Sequence, residues 1–113
     1  MLIYKIIDAA SWRQAQAVGH FDGSPDDKRD GFIHLSSAAQ TAGTLAKHFA
    51  GRADLIIAAV DADRLGATLK WEKSRGGQEF PHLYASLPIS AVIWWRPLPP
   101  PTDGRHVLPP EMI

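Results

Sequence analysis

The chain has 113 residues, 12 basic and 12 acidic residues, a formal net charge of zero and no cysteine. Its length suits one domain. The charge balance argues against a protein held to nucleic acid by a broad basic face, and the missing cysteines exclude disulfides, thiolate catalysis and cysteine metal sites.

Residues 2–8, LIYKIID, are β-branched and aromatic and predict a strand. Trp12, Ala15 and Val18 then recur at helical spacing, and Gly19 supplies a stop. Residues 20–30, HFDGSPDDKRD, read as loop by composition. GFIHLS, 31–36, predicts a second strand. Ser37 and Gln40 match capping-box spacing, so a helix is expected to start there. Its core stripe is read as Ala38, Ala42, Leu45 and Phe49, with Gly51 as its C-terminal cap.

DLIIAAV, 54–60, is an almost unbroken apolar run and predicts a strand buried on both faces. Thr68–Lys73 alternates and predicts another. SRGGQ, 74–78, reads as a flexible loop, and Phe80–Ser86 as a short strand interrupted by Pro81. AVIWWRPL, 91–98, is the last strand. The expected fold is α+β, with about six strands and two helices. Residues 1–98 form the domain, and the proline-rich tail 99–113 packs on or near its surface in extended form. The N-terminus is too quickly polar for a signal peptide, and no run approaches the roughly 18 apolar residues of a membrane span. A cytoplasmic location is expected.

Side chains alternate along a strand. Ile33 and Leu35 therefore share one face, and Phe32, His34 and Ser36 the other. Leu69 and Trp71 oppose Thr68, Lys70 and Glu72; Leu83 opposes His82 and Tyr84. Thr68 and Lys70 suit a merely solvated face. His34, His82 and Tyr84 suit either a partly enclosed cleft or a plain surface or satisfied core position, and Glu72 either a cleft carboxylate or half of a surface ion pair.

The five histidines show no metal-binding spacing, and no metal is expected. No nucleophile elbow, P-loop or GxGxxG is present. The remaining set suits a nucleotide. Neutral imidazole both donates and accepts, as a ribose diol requires. A tyrosine ring offers a stacking face, and a carboxylate can stabilise an oxocarbenium-like centre.

DGFIHLSSAAQ, then HF at 48–49, then LKWEKSRGGQEFPHLYASLP at 69–88, resemble the small bacterial family known as domain of unknown function 952. The resemblance runs from Tyr4 to about Pro97. That family is similar in fold to the ADP-ribosyltransferase superfamily, which implies a strongly curved, split β-sheet with a cleft between its halves. It also implies NAD or a related ADP-ribosyl compound as substrate, with no further cofactor required. His34 would hold ribose with Ser36 assisting, and Tyr84 would stack. Glu72 and His82 would supply charge and proton transfer, with Glu79 as a second candidate carboxylate. Gln40 would reach the cleft, or act only in capping its helix. Arg29 would meet a phosphate, or stand solvated. Glu72 precedes FPHLY where the superfamily's glutamate follows, and Ala85 replaces the glycine of the family's usual HLYG. The rival reading is a non-catalytic module that binds a nucleotide or small metabolite in the same cleft. A third is an interaction protein, a homodimer for instance, docking through Trp94, Trp95 and the tail.

Overall fold

The computed structural model describes residues 1–112. In chain order the elements are β1 (Leu2–Asp8), α1 (Ala9–Val18), β2 (His20–Phe21), α2 (Pro25–Asp30), β3 (Ile33–His34), α3 (Ala38–His48), β4 (Leu55–Asp61), β5 (Leu69–Lys73), β6 (Glu79–Leu83), β7 (Leu87–Pro88) and β8 (Val92–Pro97). Short 3-10 turns fill several of the connections. The chain is α+β, as expected, but with three α-helices where two were predicted.

All the strand pairs are antiparallel. One sheet has the order β1-β4-β8, a second β3-β6-β5, and β2 pairs with β7. Among the described residues, one backbone bridge joins the two three-stranded sheets. The Tyr4 N–H donates to Ser36 O (2.8 Å) and the Ser36 N–H to Tyr4 O (2.9 Å).

β4 lies at the centre of its sheet, and its residues from Leu55 to Val60 are all buried, as its apolar run requires. Alternation along β1 and β4 feeds two cores. Ile3, Ile7, Ile56 and Val60 pack with Trp12, Leu35, Leu83 and Leu87. Tyr4, Ile6, Leu55 and Ile57 pack with Leu45 and Leu98, and Leu108 and Met112 of the C-terminal segment cover them. That segment is further held by Arg96–Glu111 (2.7 Å) and by a bond between His106 Nε2 and Arg52 O (2.7 Å).

Several expectations change. Residues 25–30 form α2, not loop. Pro25 occupies the first turn, the Asp27 N–H donates to Ser24 Oγ, and the Ser24 N–H donates to Asp27 Oδ2. This reciprocal capping box compensates for a helix too short and too charged to be stable alone. α3 buries Thr41 and Leu45, not Ala38 and Ala42. The Thr41 hydroxyl donates to Ser37 O (2.8 Å), which satisfies it in the core. α3 is capped by Phe49, not Gly51. Val18 is exposed, so α1 buries only Trp12 and Ala15. Trp71 is 37 % exposed because β5 is the outer strand of its sheet. Trp94 is half-buried, and Trp95 lies against Trp12 with ring centroids 5.7 Å apart.

β6 runs unbroken through Pro81. A proline forfeits one ladder donor, but its carbonyl still accepts the Leu35 N–H at 3.0 Å. β3, the neighbour on that side, is only two residues long and loses little. Among the described residues no helix is long and apolar enough to cross a membrane.

Candidate functional site

A cleft of about 380 Å³ opens beside the junction of the two sheets. Lys5, Asp27, His34, Ser36 and His82 line it, with the exposed side chains of Arg29 and Lys47.

His34 and His82 face each other because β3 and β6 pair them directly. Their neighbours Ile33 and Leu83 form the adjacent pair and point into the core. The imidazole centroids lie 5.7 Å apart, edge to face. Phe32 stacks on His82 (4.1 Å) and also touches the rings of His34 and Tyr84. It therefore braces the aromatic group from one side.

α2 brings two carboxylates to His34. Asp27 Oδ1 lies 2.6 Å from Nδ1, and Asp30 Oδ2 lies 3.0 Å from Nε2. Asp27 also accepts the His34 backbone N–H (3.1 Å) and pairs with Lys5 Nζ at 3.0 Å. Both members of that ion pair are buried. Burial alone would raise the Asp27 carboxyl, but the His34 hydrogen bond and the Lys5 charge outweigh it and hold it far below the usual carboxylate range. Burial lowers the Lys5 ammonium, and Asp27 offsets part of that shift.

Glu72 does not line the cleft; it stands behind His82. Its Oε1 lies 2.8 Å from His82 Nδ1 and accepts the Tyr84 hydroxyl at 2.7 Å. The Tyr84 bond, then the His82 bond, lower the Glu72 carboxyl, and the same contact raises the Tyr84 hydroxyl. Tyr84 is 43 % exposed, and the Lys70 ammonium lies over its ring. It lines a smaller neighbouring cavity of about 230 Å³ instead.

Thus His34, Ser36 and His82 share the cleft, while Glu72 and Tyr84 attach to it through His82. Ser36 Oγ lies 2.8 Å from Thr44 Oγ1. Gln40 stays outside the lining. Its Oε1 accepts the Ser37 N–H (3.0 Å), and its Nε2 donates to Glu79 O (2.7 Å), which ties α3 to β6. Arg29 lines the cleft but is engaged by Asp26 and Asp30. Among the described residues no group of three or more His, Asp or Glu is arranged to hold a metal ion.

Lys5, Asp27 and Asp30 were not singled out from the sequence. Two signals were available: a lysine at the centre of an apolar strand, and the Ser24-Pro25-Asp26-Asp27 run, which has capping-box spacing.

Fold and site together define an α+β protein with a carboxylate-braced histidine pair in a cleft between antiparallel sheets. The chain belongs to the DUF952 family, described as a protein of unknown function, whose profile matches residues 6–95. It is similar to the crystal structure of protein CC0527 from Caulobacter crescentus, with 48 % identity and a TM-score of 0.94, covering 99 % of this chain and 98 % of that one. The solution NMR structure of CC0527 is similar at 51 % identity and a TM-score of 0.82, covering 92 % and 90 %. No curated protein matches the chain.

Proposed function

We propose that the cleft binds a nucleotide-type ligand carrying an ADP-ribosyl group, NAD or a related compound, in a fold of the ADP-ribosyltransferase kind. One observation carries this reading: a 380 Å³ cleft that places His34, His82 and Ser36 beside the cations Arg29 and Lys47. The volume falls within the range of about 300–1,000 Å³ common to small-molecule sites. Imidazole and hydroxyl groups suit ribose oxygens, and guanidinium and ammonium groups suit phosphates.

In this reading Glu72 acts through His82. Its carboxylate accepts the Nδ1 proton and thereby leaves Nε2 of His82 for proton transfer. Ser36 and the edge of His34 meet the sugar. Tyr84 contributes by holding Glu72, not by stacking on the ligand.

The test is incubation with NAD, with nicotinamide release followed by chromatography, beside thermal melting with ADP-ribose. Binding at a hundredfold excess over Kd adds about 2.7 kcal/mol of stability. His34→Ala should remove both effects, and His82→Gln the release of nicotinamide alone. A non-catalytic binding module is favoured by one feature, the engagement of Glu72 by His82 and Tyr84 away from the cleft. It would show stabilisation without nicotinamide release. If neither compound stabilises the chain, the nucleotide reading fails.

A further inference from the structure

We propose that His34 and His82 act together as general acid and general base, and that the cleft opens a cyclic phosphodiester on ribose with water. This rests on the nucleotide reading of the same cleft and adds to it a reaction and a substrate class.

The two histidines occupy matching local settings. Each begins a His-Leu-hydroxyl tripeptide, His34-Leu35-Ser36 and His82-Leu83-Tyr84. The two histidines themselves pair directly across antiparallel strands, and the tripeptides run away from that pair in opposite directions. The His34 N–H is taken by Asp27, while the Leu35 N–H reaches across to Pro81 O. His34 and His82 therefore form a pair without ladder bonds, the arrangement that brings facing side chains closest. The leucines turn into the core, and the imidazoles turn toward the cleft.

Each ring is then oriented through the same atom. Nδ1 of His34 meets Asp27 Oδ1 at 2.6 Å, and Nδ1 of His82 meets Glu72 Oε1 at 2.8 Å. The carboxylates come from unrelated elements, α2 and β5. A ligand needs one such ring to be held. A displacement that removes one proton and delivers another needs two. The remaining contacts divide the roles. His82 donates Nδ1–H to Glu72 and has the Nε2 lone pair of a base. His34 has acceptors at both nitrogens and donates at both only as imidazolium, the form of an acid. Asp30, which covers His34 Nε2, is also held by Arg29 at 3.0 Å, so it can yield that place to a substrate oxygen and keep a partner.

The charge nearby suits phosphorus. Lys47 lines the cleft, is exposed, and makes no ion pair among the described residues. An ammonium so placed pairs with the phosphate of the bound substrate, in the ground state and the transition state alike. In the step, a water oxygen bonds to phosphorus as its proton passes to His82 Nε2. The bond from phosphorus to the ribose 2′-oxygen breaks, and that oxygen takes the proton from His34 Nε2. The product is a ribose 3′-phosphomonoester. One water is consumed, and proton exchange with solvent resets both rings.

The test uses the full chain with 2′,3′-cyclic AMP, with product followed by phosphorus NMR. His34→Asn and His82→Asn keep a donor for each carboxylate and remove Nε2. Hydrolysis by the parent chain is expected, with each variant slower by about 10²–10⁴-fold. Binding of 3′-AMP should stay within a few-fold in His82→Asn and weaken in His34→Asn, which also loses its contact to ribose. Lys47→Gln, an exposed change that should leave the fold intact, should raise KM and leave kcat nearly unchanged. Binding of either nucleotide without hydrolysis overturns the acid–base pair and leaves the nucleotide reading standing. Absence of both binding and hydrolysis overturns the acid–base pair, and melting with ADP-ribose then decides the nucleotide reading separately. Undiminished hydrolysis in either histidine variant, or an unchanged KM in Lys47→Gln, also refutes the proposed arrangement.

Discussion

Replacing Asp27 with asparagine keeps the side chain's shape and removes its charge. Lys5, only 6 % exposed, then remains buried without an opposite charge. Removing one member of a buried pair typically costs about 3–5 kcal/mol, because the other charge stays desolvated. Unfolding entropy of about 2.1 cal/mol/K per residue makes each kcal/mol worth about 4 °C in Tm for a chain of 113 residues. The expected fall is therefore about 12–20 °C, read by circular dichroism melting at neutral pH. Adding Lys5→Met to Asp27→Asn should recover much of it, since the stranded charge is gone. Acid supplies an independent check. Asp27 has a folded pKa depressed below its unfolded value of about 3.9. Its contribution is thus complete above that value and lost as pH falls toward the folded one. The parent Tm should drop on acidification below about pH 4, and that of the variant should drop less. A shift under about 4 °C at neutral pH, or equal acid slopes in the two proteins, would refute the view that this pair anchors α2.

Two more outcomes follow from the same geometry. Tyr84→Phe removes a hydrogen bond to ionised Glu72, so the Glu72 carboxyl should titrate at higher pH, as read by carbon-detected NMR; an unmoved titration would show that the bond does not persist in solution. Ser24→Ala deletes half of the α2 capping box and should cost about 1 kcal/mol, with faster amide exchange confined to residues near Asp27; uniform acceleration would point to global loss instead.

Alternation made the central strands readable. It separated Ile33 and Leu35 from His34 and Ser36, and Leu83 from His82, because each residue pair had one plainly apolar member. It does not report how much of a face is covered: Trp71 is exposed because its strand is the outer one of its sheet, a fact that depends on partners distant in the chain. α2 was hidden by composition. Its charged residues suggest loop, yet Asp27 caps the helix, accepts from His34 and neutralises Lys5 at once. No periodicity reports contacts across 22 residues, such as that between Lys5 and Asp27. Glu72 was recognisable as a carboxylate near the histidines, but its place behind His82 required the register of β5 against β6. In α3, apolar spacing points to Ala38 and Ala42, whereas Thr41 is buried because its hydroxyl finds a partner in Ser37 O.

The meeting of the sheets at Tyr4 and Ser36 sits in front of a shared core, where Ile3 and Ile7 of one sheet pack with Ile33 and Leu83 of the other. The side chain of Ser36 stands in the cleft, and its backbone is half of that bridge. The cleft wall at Ser36 is therefore held by the seam of the fold itself, and a ligand seated there would meet a surface already in place before it arrives.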